Sequence, residues 1–256
     1  FLLEKGNELG GLASLISRIP AKNRLADFPH YLMHRAEQLE NLYIFKNTEG
    51  TPENIRKFHP NIIVSSTGSA PLLPPITGLK DRIDNENYNI YSILGMISHI
   101  NDFPKDLEGK KVVVVGGGAV GLDVVEFFAD RNADISIVEM MDQIGRDLDP
   151  VSKNDTKTMM KKHNVHQLTK TALLEVKDSS FLVKGDGEPY ELPFEYGFVC
   201  LGMRAQGQLY QSLTEEFSSE DVEIMNIGDS QRARRIIDGT QEGRNILTIL
   251  EQKGYL

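Results

Sequence analysis

The run Gly116-Gly117-Gly118-Ala119-Val120-Gly121 limits the folds open to this chain more than any other feature. It follows four consecutive valines, residues 112–115, and opens a stretch of helical apolar spacing that reaches about Arg131. Gly116, Gly118 and Gly121 occupy the three positions of G-x-G-x-x-G in the context where that pattern has meaning, between an apolar strand and a helix. The first glycine permits a tight turn, the second lets backbone approach a pyrophosphate, and the third lets the helix pack closely on its strand. The phosphate charge is then met by the positive helix end and its free N–H groups. A lone match is a weak signal, but the next strand, residues 135–138, ends at Glu139, 18 residues beyond Gly121 (139 − 121). That offset suits an acid that hydrogen-bonds the ribose of a dinucleotide. The expected nucleotide contacts are therefore Gly116, Gly117, Gly118, Ala119, Val120, Gly121 and Glu139, the alternative being a purely structural turn.

Glu139 also bears on the choice of nucleotide. Its carboxylate accepts hydrogen bonds from a 2′-hydroxyl but meets a 2′-phosphate as a like charge, which costs up to several kcal/mol in a poorly solvated contact. Met140 and Met141 offer no guanidinium to offset that repulsion, and Arg146 is the nearest residue that could. NADH is expected over NADPH.

Charge and cysteine content exclude other classes. A net charge of −9 without a basic block argues against a nucleic-acid partner, which needs clustered Lys and Arg. No apolar stretch approaches the roughly 20 residues of a membrane span and no signal peptide is visible, so no membrane partner and a cytoplasmic location are expected. The single cysteine, Cys200, lies in the apolar run Phe198-Val199-Cys200-Leu201 and reads as a small buried hydrophobe, with no second cysteine for a redox pair. The six histidines, the i, i+4 pair His30 and His34 included, form no metal spacing and read as surface residues.

Along the chain, helical spacing at Tyr31, Leu32, Arg35, Ala36 and Leu39 predicts a helix, and residues 42–45 a short strand. Thr51 with Pro52 and Glu53 has N-cap, N1 and first-turn chemistry. Residues 61–66 form a buried strand, and three prolines within residues 70–78 predict a crossover between lobes. A helix near 151–163, short strands between 165 and 201 with a turn at Gly185-Asp186-Gly187, a strand at 222–227 and a helix from about Arg234 complete the pattern.

An internal repeat organises these elements. Phe1-Leu2-Leu3-Glu4 with Gly10 matches Ile135-Ser136-Ile137-Val138-Glu139 with Gly145: strand, Glu, five residues, Gly. Downstream of each copy an apolar strand ends at glycine, Gly68 after residues 62–67 and Gly202 after residues 198–201. Two nucleotide folds are implied. The glycine loop precedes Glu139 in the second, whereas the chain begins too late to hold one before Glu4, so the first fold is expected to be N-terminally truncated. The expected fold is α/β with two Rossmann-like dinucleotide-binding lobes. An NAD lobe at 85–207 is inserted into a truncated FAD-type lobe formed by residues 1–84 and 208–256.

On Glu4 with Leu9-Gly10-Gly11, Thr67-Gly68 with Pro71, Gly116 to Gly121 with Glu139, Ile144-Gly145-Arg146-Asp147, and Ile227-Gly228-Asp229, the sequence resembles the two-dinucleotide-fold flavoprotein oxidoreductases. It is most similar to the C-terminal FAD/NAD-binding region of the old-yellow-enzyme-related NADH:flavin oxidoreductases, of the 2,4-dienoyl-CoA and 2-enoate reductase type. The resemblance implies that Glu4 holds the FAD adenosine ribose, that Gly11, Thr67, Gly68, Gly202 and Gly228 lie at the cofactor sites, and that Asp229 reaches the ribityl chain. For Glu4 the alternative is an ordinary strand end, and for Asp229 a turn residue capping the last helix. It further implies a parent enzyme that passes hydride from NADH to FAD, then electrons through an iron-sulfur cluster to FMN in an N-terminal barrel, reducing an activated double bond. FMN, cluster and barrel would lie outside this chain. The second hypothesis is a fragment that binds NAD or an adenine nucleotide without turnover.

Overall fold

The structure is a computed structural model and describes residues 1–255. In chain order the strands are β1 (Leu2–Leu3), β2 (Ile44–Phe45), β3 (Ile62–Ser65), β4 (Ser69–Pro71), β5 (Ile90–Tyr91), β6 (Lys111–Val115) and β7 (Asp134–Val138). They continue as β8 (His166–Leu168), β9 (Ala172–Val176), β10 (Ser180–Lys184), β11 (Tyr190–Pro193), β12 (Tyr196–Val199), β13 (Met203–Ala205) and β14 (Glu223–Asn226). The α-helices are α1 (Gly11–Ile16), α2 (Asp27–Glu37), α3 (Pro52–Arg56), α4 (Leu79–Arg82), α5 (Ile93–Ser98), α6 (Ala119–Ala129), α7 (Pro150–Lys162), α8 (Gln208–Glu216) and α9 (Ile236–Gln252).

The chain is α/β and divides into two compact units. Unit 1 comprises Phe1–Ser17, Lys22–Ala70 and the chain from Met203 onward; unit 2 comprises Arg18–Ala21 and Pro71–Gly202. The divisions fall ahead of the expected 84 and 207. Leu79 is fully buried in the unit 2 core, and the Val176 N–H donates to the Thr77 carbonyl, which ties the proline-rich crossover to unit 2.

Unit 2 is built on a five-stranded parallel sheet in the order β5-β12-β6-β7-β8. A strand covered on both faces must be apolar throughout, which is why residues 112–115 are all valine. Val113 and Val115 pack with Leu79, Val138, Val176 and Phe181 on one face, toward the antiparallel layer β11-β10-β9. Phe128 of α6 lies 4.8 Å from the Phe198 ring and 5.1 Å from the Phe103 ring. After α6, Asn132 turns the chain with φ 61°, and after α7 Asn164 does so with φ 50°, the left-handed conformation that ends helices and that Asn tolerates. Asp149 caps α7 by accepting from the Val151 and Ser152 N–H groups, one residue ahead of Pro150 at N1.

Unit 1 holds two separate parallel pairs, β1 with β2 and β3 with β14. The Thr51 hydroxyl accepts from the Asn54 N–H and caps α3. From α3, Arg56 reaches Glu216 and Glu220 and lies 4.6 Å from the Phe217 ring, above a small core of Ile63, Leu213 and Phe217. Among the described residues, 36 hydrophobic side chains are buried and only four of them, Ile63, Leu213, Phe217 and Leu250, belong to unit 1. Of 20 large apolar side chains left exposed, 14 belong to unit 1. The two units are of similar length, so size does not account for the difference. Among the described residues, no helix is long and apolar enough to cross a membrane.

Candidate functional site: a dinucleotide turn in unit 2

Packing explains two of the three glycines. Gly116 has φ 110°, and a Cβ there would stand 2.1 Å from the Cys200 carbonyl oxygen. A Cβ on Gly121 would stand 1.9 Å from the Gly116 carbonyl oxygen, so α6 sits against the turn only because that atom is missing. Gly118 is different: nothing lies within 4 Å of where its Cβ would be. Close packing demands glycine at Gly116 and Gly121, whereas Gly118 faces open space where a ligand could approach.

The first hydrogen bond of the α6 ladder at this end runs from the Leu122 N–H to the Gly118 carbonyl. The amides of Ala119 and Val120 precede it at the positive end of an 11-residue helix. Glu139, at the end of β7, faces the same turn. One of its carboxylate oxygens accepts from the Gly117 N–H at 2.6 Å and the other from the Met141 N–H at 2.7 Å. Lone pairs remain on both oxygens for further donors. The Gly145 N–H donates to the Gly117 carbonyl at 2.7 Å, and a Cβ on Gly117 would meet Ile144 at 3.1 Å. The Ile144-Gly145 segment thus clamps the turn from behind. The sequence singled out this segment through the repeat of Glu, five residues, Gly and through Ile144-Gly145-Arg146-Asp147, but not its role in holding the turn. Cys200 is buried beside Gly116, and burial pushes its thiol up to about 12, so it stays protonated as an inert filler. Gly202, with φ 100° and open space at its Cβ position, lies between β12 and β13.

The remaining expected residues lie in unit 1. Glu4, at the end of β1, accepts from the Gly6 N–H at 2.6 Å, the same bond to the amide two residues on that Glu139 makes to Met141. Gly11 begins α1 with φ 50° and nothing near its Cβ position. The Thr67 hydroxyl donates to the Gln206 carbonyl, the Gln206 N–H donates to the Gly68 carbonyl, and Gly68 has φ 74°. Asp229 accepts from the Ser69 hydroxyl and from the Arg234 N–H, both at 3.0 Å, which brings residues 67–69 together with Gly228 and Asp229. The Gly228 N–H donates to Glu242, whose carboxyl is held below the usual carboxylate range by the hydrogen bond from Arg234 and then by that amide. Among the described residues, no group of His, Cys, Asp or Glu is placed to hold a metal ion.

Over 94% of its length the chain is 26% identical to a metal reductase of Desulforamulus reducens and 25% identical to an NADH oxidase of Thermoanaerobacter brockii, spanning 39% and 36% of those proteins. A solved complex of 2-naphthoyl-CoA reductase with 2-naphthoyl-CoA superposes with a TM-score of 0.78 at 22% identity, covering 94% of this chain and 34% of that one, which shows a shared fold. The chain therefore spans less than two fifths of each of these proteins. The resemblance to the old-yellow-enzyme-related NADH:flavin oxidoreductases holds in these comparisons. Residues 38–225 match the pattern described as pyridine nucleotide-disulphide oxidoreductase, and with that match the chain belongs to the pyridine nucleotide-disulphide oxidoreductase family.

Proposed function

We propose that unit 2 binds NADH and that unit 1 is an FAD-type lobe, together forming the electron-entry module of a larger flavin-dependent enzyme that reduces an activated carbon–carbon double bond. What supports this is the end of β6, where the Ala119 and Val120 amides, the open side of Gly118 and the fixed carboxylate of Glu139 converge on one turn. When bound, NADH would supply hydride-donor chemistry and FAD would be its acceptor, with an iron-sulfur cluster and FMN in a barrel of the parent enzyme as onward electron carriers. The chain itself binds and orients. Ala119 and Val120 would donate to the pyrophosphate, Gly118 would admit it, and Glu139 would accept from ribose hydroxyls while disfavouring a 2′-phosphate. In unit 1, Glu4 would hold the adenosine ribose of FAD, with Gly11, Thr67 and Gly68 nearby and Gly228 and Asp229 toward the ribityl chain. Gly202 would mark the end of the NADH site. The names of the relatives, an NADH oxidase and a metal reductase, support NADH as donor and a reductive outcome. A cytoplasmic location belongs to the same proposal.

Calorimetric titration of the purified chain, with its flavin absorbance recorded, tests the proposal. NADH is expected to bind at least about tenfold more tightly than NADPH, a difference of about 1.4 kcal/mol. Comparable affinities would overturn the NADH assignment. A colourless protein that still binds NADH would favour the second reading, nucleotide binding without turnover. The small core of unit 1 is the observation that favours that reading.

A further inference from the structure

The chain has eight methionines, and two of them differ from the rest in exposure. Met96 and Met160 are buried, and Met33, Met159, Met203 and Met225 are half-buried. Met140 is 68% exposed and Met141 is 39% exposed. These two are neighbours in sequence and directly follow Glu139 at the end of β7. Small-molecule sites combine a few fixed polar groups with apolar walls. Here the fixed polar group is the Glu139 carboxylate, and the apolar surface beside it is the methionine pair.

The backbone under the pair is fixed. The Met141 N–H donates to the Glu139 carboxylate at 2.7 Å, and the Met141 carbonyl accepts from the Lys170 N–H at 2.9 Å. The Glu139 carbonyl accepts from the Thr171 N–H at 2.9 Å, so the stretch from Glu139 to Met141 is tied to the turn between β8 and β9. A ribose hydroxyl that donates to the same carboxylate stands about 2.7 Å from it, which brings its nucleoside within reach of both thioethers. Methionine has three rotatable bonds and a polarisable sulfur, so it adapts to the edge of an aromatic ring. Oxidation of that sulfur turns a flexible apolar side chain into a polar, chiral one. Cys200, the remaining kind of sulfur in the chain, is buried and its thiol stays protonated.

We propose that Met140 and Met141 form a peroxide-sensitive wall of the nucleotide site: as thioethers they pack against the adenosine of NADH, and as sulfoxides they weaken its binding. The inference rests on the reading of unit 2 as an NADH site. In the oxidation the thioether sulfur gives an electron pair to hydrogen peroxide, the O–O bond breaks, an S–O bond forms and water leaves. A methionine sulfoxide reductase reverses it with two thiols, which become a disulfide as the oxygen departs as water. The sulfoxide oxygen stands beside a carboxylate that already accepts from Gly117 and Met141, and it must shed its own water when a nucleoside closes over it. Bound nucleotide in turn covers the sulfurs. The site is therefore open to oxidation when NADH is scarce and shielded when NADH is abundant.

The test treats the full chain with dilute hydrogen peroxide, which is then removed with catalase. Peptide mass mapping should show one added oxygen on Met140 and on Met141 at least about tenfold sooner than on the half-buried methionines. Saturating ADP-ribose, which has the adenosine and pyrophosphate but no hydride to give, should slow both additions. NADH affinity measured by calorimetry should fall by at least about fivefold after oxidation, the scale of one lost sulfur–ring contact. Treatment with methionine sulfoxide reductases for both epimers should restore it. In a chain carrying Met140→Leu and Met141→Leu, the affinities before and after peroxide should agree within about twofold, because leucine has no sulfur to oxidise. Unchanged NADH affinity in a chain that carries both sulfoxides would overturn the inference alone. So would an equal loss of affinity in the leucine chain, or oxidation that ADP-ribose does not slow. Failure of the untreated chain to bind either NADH or ADP-ribose would overturn the NADH reading of unit 2, and the inference with it.

Discussion

Units 1 and 2 carry the same pattern of strand, Glu, five residues and Gly, and both position the acid against the amide two residues further on, Glu4 on Gly6 and Glu139 on Met141. They differ in what covers the strands. In unit 2 the four valines of β6 lie at the centre of five parallel strands and are buried on both faces. In unit 1 the corresponding strands form two short ladders with side chains that are half-buried or exposed, Ile63 and Ser65 excepted. The lesson is that the local pattern fixes the turn chemistry of each acid, while burial depends on a strand that joins the two halves of the sheet. Since apolar burial is the main favourable contribution to stability, the two units should respond unequally to mutation.

The largest expected difference lies in the cores. Phe128→Ala should destabilise unit 2 by about 3–5 kcal/mol, because it leaves a cavity among packed rings. Val64→Ala in unit 1 should cost less than about 1 kcal/mol, because the side chain is already partly in water. Denaturant unfolding followed by exchange at β6 and β3 would measure both, and equal costs would break the comparison. Next comes the turn. Gly121→Ala drives a Cβ into the Gly116 carbonyl and should cost about 3 kcal/mol, whereas Gly118→Ala should leave thermal stability within about 0.5 kcal/mol while weakening NADH binding. A thermal melt beside a titration separates the two. A smaller effect is expected for Glu139→Gln, which keeps the shape and removes the charge. NADH affinity should fall roughly tenfold and the preference over NADPH should narrow. The smallest is a pH effect confined to unit 1. The Glu242 carboxyl is depressed by Arg234 and the Gly228 amide, so its contribution is present above the ordinary carboxylate value of about 4.3 and is lost as pH falls through its lower folded value. The protection factor of the Gly228 amide, its exchange rate taken relative to the intrinsic rate at each pH, should fall on acidification in that range, and Glu242→Gln should remove that fall.

Much of unit 2 was legible because its signals are local. Four valines, three spaced glycines and a strand ending in Glu139 each specify their own backbone, and Thr51-Pro52 announced α3 in the same way. Less legible was α8. It has Gly207 at its N-cap with no side-chain bond, and its apolar stripe of Leu209, Leu213 and Phe217 is one residue wide. The cap of α7 was readable from Asp149-Pro150, although the periodicity alone placed the helix start one residue later. The bond from the Gly117 N–H to Glu139 joins residues 22 apart and could not be read from either end, because it exists only once β6 and β7 are side by side. The same holds for Ser69 with Asp229, 160 residues apart. Spacing named the members of each cluster, and the sheet register decided which of them meet.

The most direct test of the contrast between the units is amide hydrogen exchange of the unmodified chain with and without saturating NADH. NADH is expected to slow exchange at Gly118, Ala119 and Val120 and to leave Leu3 and Val64 unchanged, with β6 and β7 protected in both samples. Protection that appears in unit 1 instead, or none at the turn of Gly116 to Gly121, would contradict the assignment of nucleotide binding to unit 2.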